Sequence, residues 1–189
     1  MPYAPPLLSL SFSLPNALWY RQKISPMTTS APTFRHALGH FATGVTVVTV
    51  EYQPGKIHGM TANSFTSVSL HPPLILICVD HRALMLPFLH EQKRFGVSVL
   101  KSHQQAISEF FAQPGLYEDP EDHLKLRYRR SPTGIPTLDD TLAQLSCTVA
   151  GHHLSGDHTI FLGEVESVHV TEGDPLLFYR GRYHHRPLE

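Results

Sequence analysis

Apolar positions along the chain change their period several times, and each change marks a predicted element. Phe34, Ala37, Leu38 and Phe41 recur at helical spacing, with Thr33 as N-cap and Gly44 as a stop, so a short amphipathic helix opens the domain. The β-branched run "VTVVTVEY" (45–52), the turn "QPGK" and the returning "IHGMTANSF" predict a hairpin. "PLILICVD" (73–80), bounded by Pro72 and Pro73, predicts a buried strand. "ALMLPFLHEQ" predicts a helix interrupted at Pro87, and "RFGVSVL" another strand. "HQQAISEFFA" (103–112) predicts a helix that carries Ile107, Phe110 and Phe111 toward one side. Residues 113–140 hold most of the remaining charge with Pro and Gly, and read as a long excursion over the surface. "AQLSCTVAGHHLSG", "DHTIFLGEVESVHV" and "PLLFYRGRYHH" are three further strand-like runs. This order predicts a mainly β protein, a predominantly antiparallel barrel with small helices packed outside.

The first thirty residues fit no element. Their apolar segment, Leu7 to Leu14, is short, broken by serines and preceded by no basic residue, unlike a signal peptide or a membrane span. Five prolines and no sustained period predict a flexible extension over 1–30, followed by one domain over 31–189. Fifteen Lys and Arg against sixteen Asp and Glu, with no basic run, recommend neither a nucleic-acid nor an anionic-membrane surface. The expected partner is a small molecule. Cys78 and Cys147 sit inside apolar runs, where a thiol behaves as a small buried hydrophobe, and a reducing cytoplasm fits them.

One stretch departs from the barrel pattern. Between residues 61 and 69 stand five hydroxyl side chains (Thr61, Ser64, Thr66, Ser67, Ser69) and the carboxamide of Asn63. Such groups satisfy their own backbone at a sheet edge, or they line a pocket for a ligand rich in acceptors, and composition does not choose between these. The fourteen histidines give no metal spacing. His152 and His153 are adjacent on a predicted strand and point to opposite faces, as do His184 and His185. Neither a GxSxG elbow, a GxGxxG fingerprint nor a P-loop is present.

The blocks "FRHALGHFATGVTVVTV", "HGMTANSFTSVSLHPPLILICVD", "RFGVSVL", "GDHTIFLGEVE" and "PLLFYRGRY", in this order and at these separations, closely resemble the flavin reductase-like family of split-barrel, flavin-binding proteins. The resemblance covers residues 33–183. It implies an NAD(P)H:flavin oxidoreductase that supplies reduced FMN or FAD to a separate monooxygenase component, as a cytoplasmic homodimer. A flavin-binding carrier or sensor without turnover is the alternative, and an oxidase related to pyridoxamine phosphate enzymes is a second rival. The resemblance leaves FMN against FAD, and NADH against NADPH, open.

The same resemblance implies a distribution of site residues. Gly59, Met60 and Thr61, with Asn63 and Ser64, would meet the flavin ring and ribityl chain. Cys78, Val79 and Asp80 would flank the flavin, and the 82–85 turn would approach its phosphate. That turn reads "HRALM" where the family often carries Ser or Thr, which leaves Arg82 as its polar candidate. Phe110 and Phe111 would belong to a helix closing over the ligand. His158 would act in catalysis on the nicotinamide side, together with Phe178, Tyr179, Arg180 and Gly181. Taken singly, the aromatics also read as core, and His158 beside Asp157 as a strand-end histidine held by a hydrogen bond.

Overall fold

The computed structural model describes residues 29–115 and 124–185, so the predicted extension lies outside the described residues up to Thr28. The chain runs α1 (Ala31–Leu38), β1 (Thr43–Gly44), β2 (Thr46–Gln53), β3 (Lys56–Ala62), β4 (Phe65–Leu70), β5 (Pro73–Asp80), α2 (Met85–Gln92), β6 (Arg94–Val99) and α3 (Gln105–Phe111). It continues through β7 (Tyr128–Arg130), β8 (Pro136–Leu138), β9 (Ala143–Ser155), β10 (His158–Val170), β11 (Leu177–Tyr179) and β12 (Arg182–His184).

Seven strands form one antiparallel sheet in the order β3-β2-β6-β9-β10-β5-β4. Its two edge strands, β3 and β4, are consecutive in the chain and separated only by Asn63 and Ser64. Three Cα–Cα steps span at most about 11 Å, so the sheet must curl until its edges nearly meet at that corner. The edges do not pair with each other. An unclosed curl of this kind is the split barrel expected from the sequence, and it is lined by alternate residues. Val48, Val50, Ile75, Ile77, Phe95, Val97 and Phe161 form its core with Met85 and Leu89 of α2. The opposite face of β2 sends Val47 into a second cluster with Leu100, Phe111, Leu138 and Leu176. No helix among the described residues is long and apolar enough to cross a membrane.

Four sequence expectations are corrected in detail. The cap of α1 is Ser30, whose Oγ accepts from Thr33 N, and the helix ends at Gly39 rather than Gly44. Its apolar stripe is not buried: Phe34, Leu38 and Phe41 are 56%, 57% and 76% exposed. Pro87 does not interrupt α2. It occupies the first turn, where the missing N–H has no intrahelical acceptor to lose. The excursion over 113–140 is only partly a surface loop, because Ile135 to Leu138 are buried and β8 is bonded into the barrel by Thr49 Oγ1 donating to Pro136 O at 2.6 Å. Finally, "PLLFYRGRYHH" is a hairpin, β11 and β12, rather than one strand. Arg180 and Gly181 form its turn with φ of +50° and +75°, both left-handed, as a two-residue hairpin with native twist requires.

Candidate functional site

A groove of about 500 Å³ opens where β3, the turn after β5, and the end of α3 converge. Its volume falls in the range of small-ligand sites. One wall is the β3 backbone at Gly59–Thr61, and the floor holds Met85 and Phe111, both buried. Gly59 is required by the close approach of that floor: a Cβ there would lie 2.4 Å from Phe111 Cε1. Thr61 Oγ1 donates to Ser108 O at 2.7 Å, which fastens α3 along the groove wall. Ser108 Oγ in turn bonds Tyr183 Oη at 2.8 Å, so the β11–β12 hairpin is tied to the same helix.

The facing wall is the turn Asp80–Leu84. Asp80 Oδ1 accepts from Arg82 N at 2.8 Å and from Arg82 Nε at 3.0 Å, and Asp80 Oδ2 accepts from Arg82 Nη2 at 2.7 Å. These bonds hold the Asp80 carboxyl well below the usual carboxylate range. The turn leads into α2, whose first turn has no side-chain cap. His158 stands opposite Asp80 in the β5–β10 register, and its Nδ1 bonds Asp157 Oδ1 at 2.7 Å. The His158 hydrogen bond lowers the Asp157 carboxyl in turn.

Of the residues singled out in the sequence, the structure brings Gly59, Met60, Thr61, Asp80, Arg82 and Phe111 around the groove. Ser64 and Cys78 clip β4 to β5 instead: Ser64 Oγ donates to Cys78 O at 3.0 Å. Asn63 is exposed at the corner where the sheet edges approach. The Val79 side chain packs in the barrel core rather than in the groove, because strand alternation turns it inward between Cys78 and Asp80. Phe110 packs edge-on against Phe111, at 5.1 Å between centroids, behind the floor. The hydroxyls of the polar block serve the backbone at an edge strand, with Thr66 donating to Ser67 O and Ser69 Oγ accepting from His71 N.

The nicotinamide set is not brought together. Phe178 sits against the second core cluster, and Tyr179, Arg180 and Gly181 line a separate cavity of about 620 Å³ beside α1, with Arg35 and Arg182. His58 was missed by sequence reasoning. It is buried on the groove's β3 wall, edge-on to Phe88 at 5.4 Å, and burial pushes its imidazole down to about 4, so it is neutral at pH 7. Its position immediately before Gly59 in a strand was the available signal. The segment Ala112–Gly115, which completes the rim, lies beyond the predicted helix and carried no signal of its own.

The residues present fit a flavin. An apolar floor of Met85 and Phe111 along the β3 wall admits a flat ring, and Arg82, the one guanidinium or ammonium group among the described lining residues, suits a phosphate. A curled, unclosed antiparallel barrel with such a groove defines the class of split-barrel flavin-binding proteins. The profile of the family described as "Flavin reductase like domain" matches residues 38–186, and the chain belongs to that family. An NADH-dependent flavin reductase of a Rhodococcus species is 43% identical over 157 residues, which cover 82% of this chain and 85% of the relative. The solved styrene monooxygenase flavin reductase of Pseudomonas putida is 37% identical, with a TM-score of 0.74 over 82% of this chain and 98% of that one. An NADH:FAD oxidoreductase of Streptomyces globisporus, solved in complex with NAD and FAD fragments, is 36% identical with a TM-score of 0.74, covering 85% and 96% of the two chains. The flavin reductase reading of the sequence agrees with all three.

Proposed function

We propose that this chain is an NADH-dependent flavin reductase that binds flavin in the β3–α3 groove, reduces it and releases it to a separate monooxygenase. The observation that carries the reading is the groove itself, built by Gly59–Thr61, Phe111 and the Asp80–Arg82 turn in a chain of this family. Bound flavin supplies the hydride-accepting ring, with NADH as donor. The bare Gly59 backbone lets Phe111 seat against β3, where it would support that ring, and the neutral His58 adds no charge to the wall. Arg82 meets the phosphate. Asp157 holds His158 Nδ1, which leaves Nε2, on the strand beside Asp80, to orient the nicotinamide. The cavity with Tyr179, Arg180 and Gly181 takes the remainder of the dinucleotide, a role the guanidinium groups of Arg35, Arg180 and Arg182 suit.

The test is NADH oxidation with FMN and FAD supplied separately, and NADPH as the competing donor. The rate is expected to rise saturably with added flavin at micromolar concentrations, and the purified chain to lose flavin on gel filtration. Stoichiometric flavin that survives gel filtration, with turnover indifferent to added flavin, overturns the diffusible-flavin mechanism. Flavin binding with no nucleotide oxidation makes the chain a carrier.

His158→Ala is expected to lower kcat/KM for NADH about tenfold, the worth of one hydrogen bond of about 1.4 kcal/mol, with FMN affinity unchanged. Steady-state kinetics beside a flavin titration checks this. Equal losses in both place His158 in the flavin pocket instead.

The exposed stripe Phe34, Leu38 and Phe41 supports a homodimer, since a second copy covers such a face at low cost. A monomeric mass by sedimentation at micromolar concentration refutes it. The two free thiols fit a cytoplasmic location, which a fractionation experiment tests.

A further inference from the structure

Arg82 is the one guanidinium or ammonium group among the described residues lining the groove, yet it is already engaged. Both carboxylate oxygens of Asp80 accept from it, at 2.7 Å and 3.0 Å, and the same carboxylate caps the turn through Arg82 N. The carboxylate of Asp157 acts on the guanidinium as well. Asp80 therefore offsets the one guanidinium that the described lining offers, where a phosphate is to arrive. The Arg82 side chain is 86% exposed and Asp80 27%, so the pair is accessible to a ligand rather than sealed in the core.

We propose that Asp80 is a specificity-determining residue that weakens flavin capture by competing with the flavin phosphate for Arg82. This inference rests on the flavin-reductase reading of the groove. Asp80 takes the side-on fork of the guanidinium, Nε and Nη2, so a phosphate must either contend for that fork or take the Nη1 end while lying beside the carboxylate. On either face the phosphate lies beside the Asp80 carboxylate, and that like-charge contact weakens its capture. The start of α2 adds little to that capture, since Leu86 N already donates to Ala83 O at 3.1 Å and Pro87 has no N–H. The outcome is a flavin held by its ring and only loosely by its phosphate, as a substrate that must leave after reduction requires.

The experiment compares FMN with riboflavin, which has the same ring and ribityl chain but no phosphate, by fluorescence titration of the full chain. Asp80→Asn keeps an oxygen to accept from Arg82 N, so the turn is retained while the competing charge is removed. It is expected to tighten FMN about threefold to tenfold and to leave riboflavin unchanged. Arg82→Gln is expected to weaken FMN toward the riboflavin value, and in that background Asp80→Asn should have no further effect on FMN. An Asp80→Asn variant that leaves FMN affinity unchanged or lowers it, or that shifts FMN and riboflavin in parallel, overturns the proposal. If the unaltered chain binds neither flavin, the reading of the groove itself fails, an outcome distinct from bound flavin that is indifferent to Asp80.

Discussion

Gly59→Val is expected to abolish flavin-dependent NADH oxidation, with FMN affinity falling at least about tenfold. The cause is steric and local. Even a single Cβ at position 59 would stand 2.4 Å from Cε1 and 2.5 Å from Cδ1 of Phe111, well inside contact distance. Phe111 has nowhere to retreat, because it is 2% exposed and wedged into the cluster of Val47, Leu100, Leu138 and Leu176. The ring must therefore swing toward the groove, or β3 must move away from α3 and break the Thr61 to Ser108 bond. Either change removes the flat floor on which a flavin would rest. Overpacking of this kind also costs about 1–3 kcal/mol of stability, so binding is to be measured well below the unfolding transition. Gly59→Ala should give a weaker version of the same loss. Unchanged FMN affinity in a folded Gly59→Val chain would show that the ligand does not lie against this wall.

The elements that were legible in the sequence are those whose stability comes from their own pattern. β2, β3, β5, β6, β9 and β10 alternate or run apolar because each has at least one face in the barrel core, and that periodicity survives without the rest of the chain. The burial of β8 was hidden because three residues, Pro136–Leu138, have too little length to show a period, and their place depends on Thr49 and Ser98 far away in sequence. The stripe on α1 is visible in the sequence, but its exposure is not, since what covers a stripe is a tertiary matter.

The site divides along the same line. Gly59–Thr61 and Asp80–Arg82 stand close in the chain and end on facing walls of one groove, since β3 and β5 approach near the open corner of the sheet. The residues of the β11–β12 hairpin lie in their own small sheet with β1, whose position against the barrel no local pattern encodes. His58 was obscured for a different reason. Burial makes it neutral, so a residue type usually read as a surface or metal-binding group behaves there as part of a wall.

Gly96→Ala is expected to be the most destabilising small substitution in the barrel, costing at least about 3 kcal/mol in urea unfolding. Its Cβ would lie 2.2 Å from Pro136 O, 2.6 Å from Thr49 Oγ1 and 2.8 Å from Thr137 Cγ2. The first of these is backbone and cannot rotate aside. Pro136 O is fixed as the acceptor of the Thr49 hydroxyl, and β8 is pinned again two residues on, where Leu138 N donates to Ser98 Oγ at 2.9 Å. Nor can β6 recede, because it is hydrogen-bonded on both sides, to β2 and to β9. Relief therefore requires β8 to leave the barrel, which exposes Leu138 and strands the Thr49 hydroxyl in a buried site. Two companion substitutions calibrate the effect. Gly163→Ala meets the tip of the buried Phe95 ring at 2.5 Å, a side chain rather than a fixed backbone oxygen, and should cost less. At Gly151 a Cβ meets nothing within 4 Å, so Gly151→Ala should stay within about 0.5 kcal/mol of the unaltered chain. A Gly96→Ala chain that unfolds at the same urea concentration as Gly151→Ala would mean that β8 is not seated against β6 in solution.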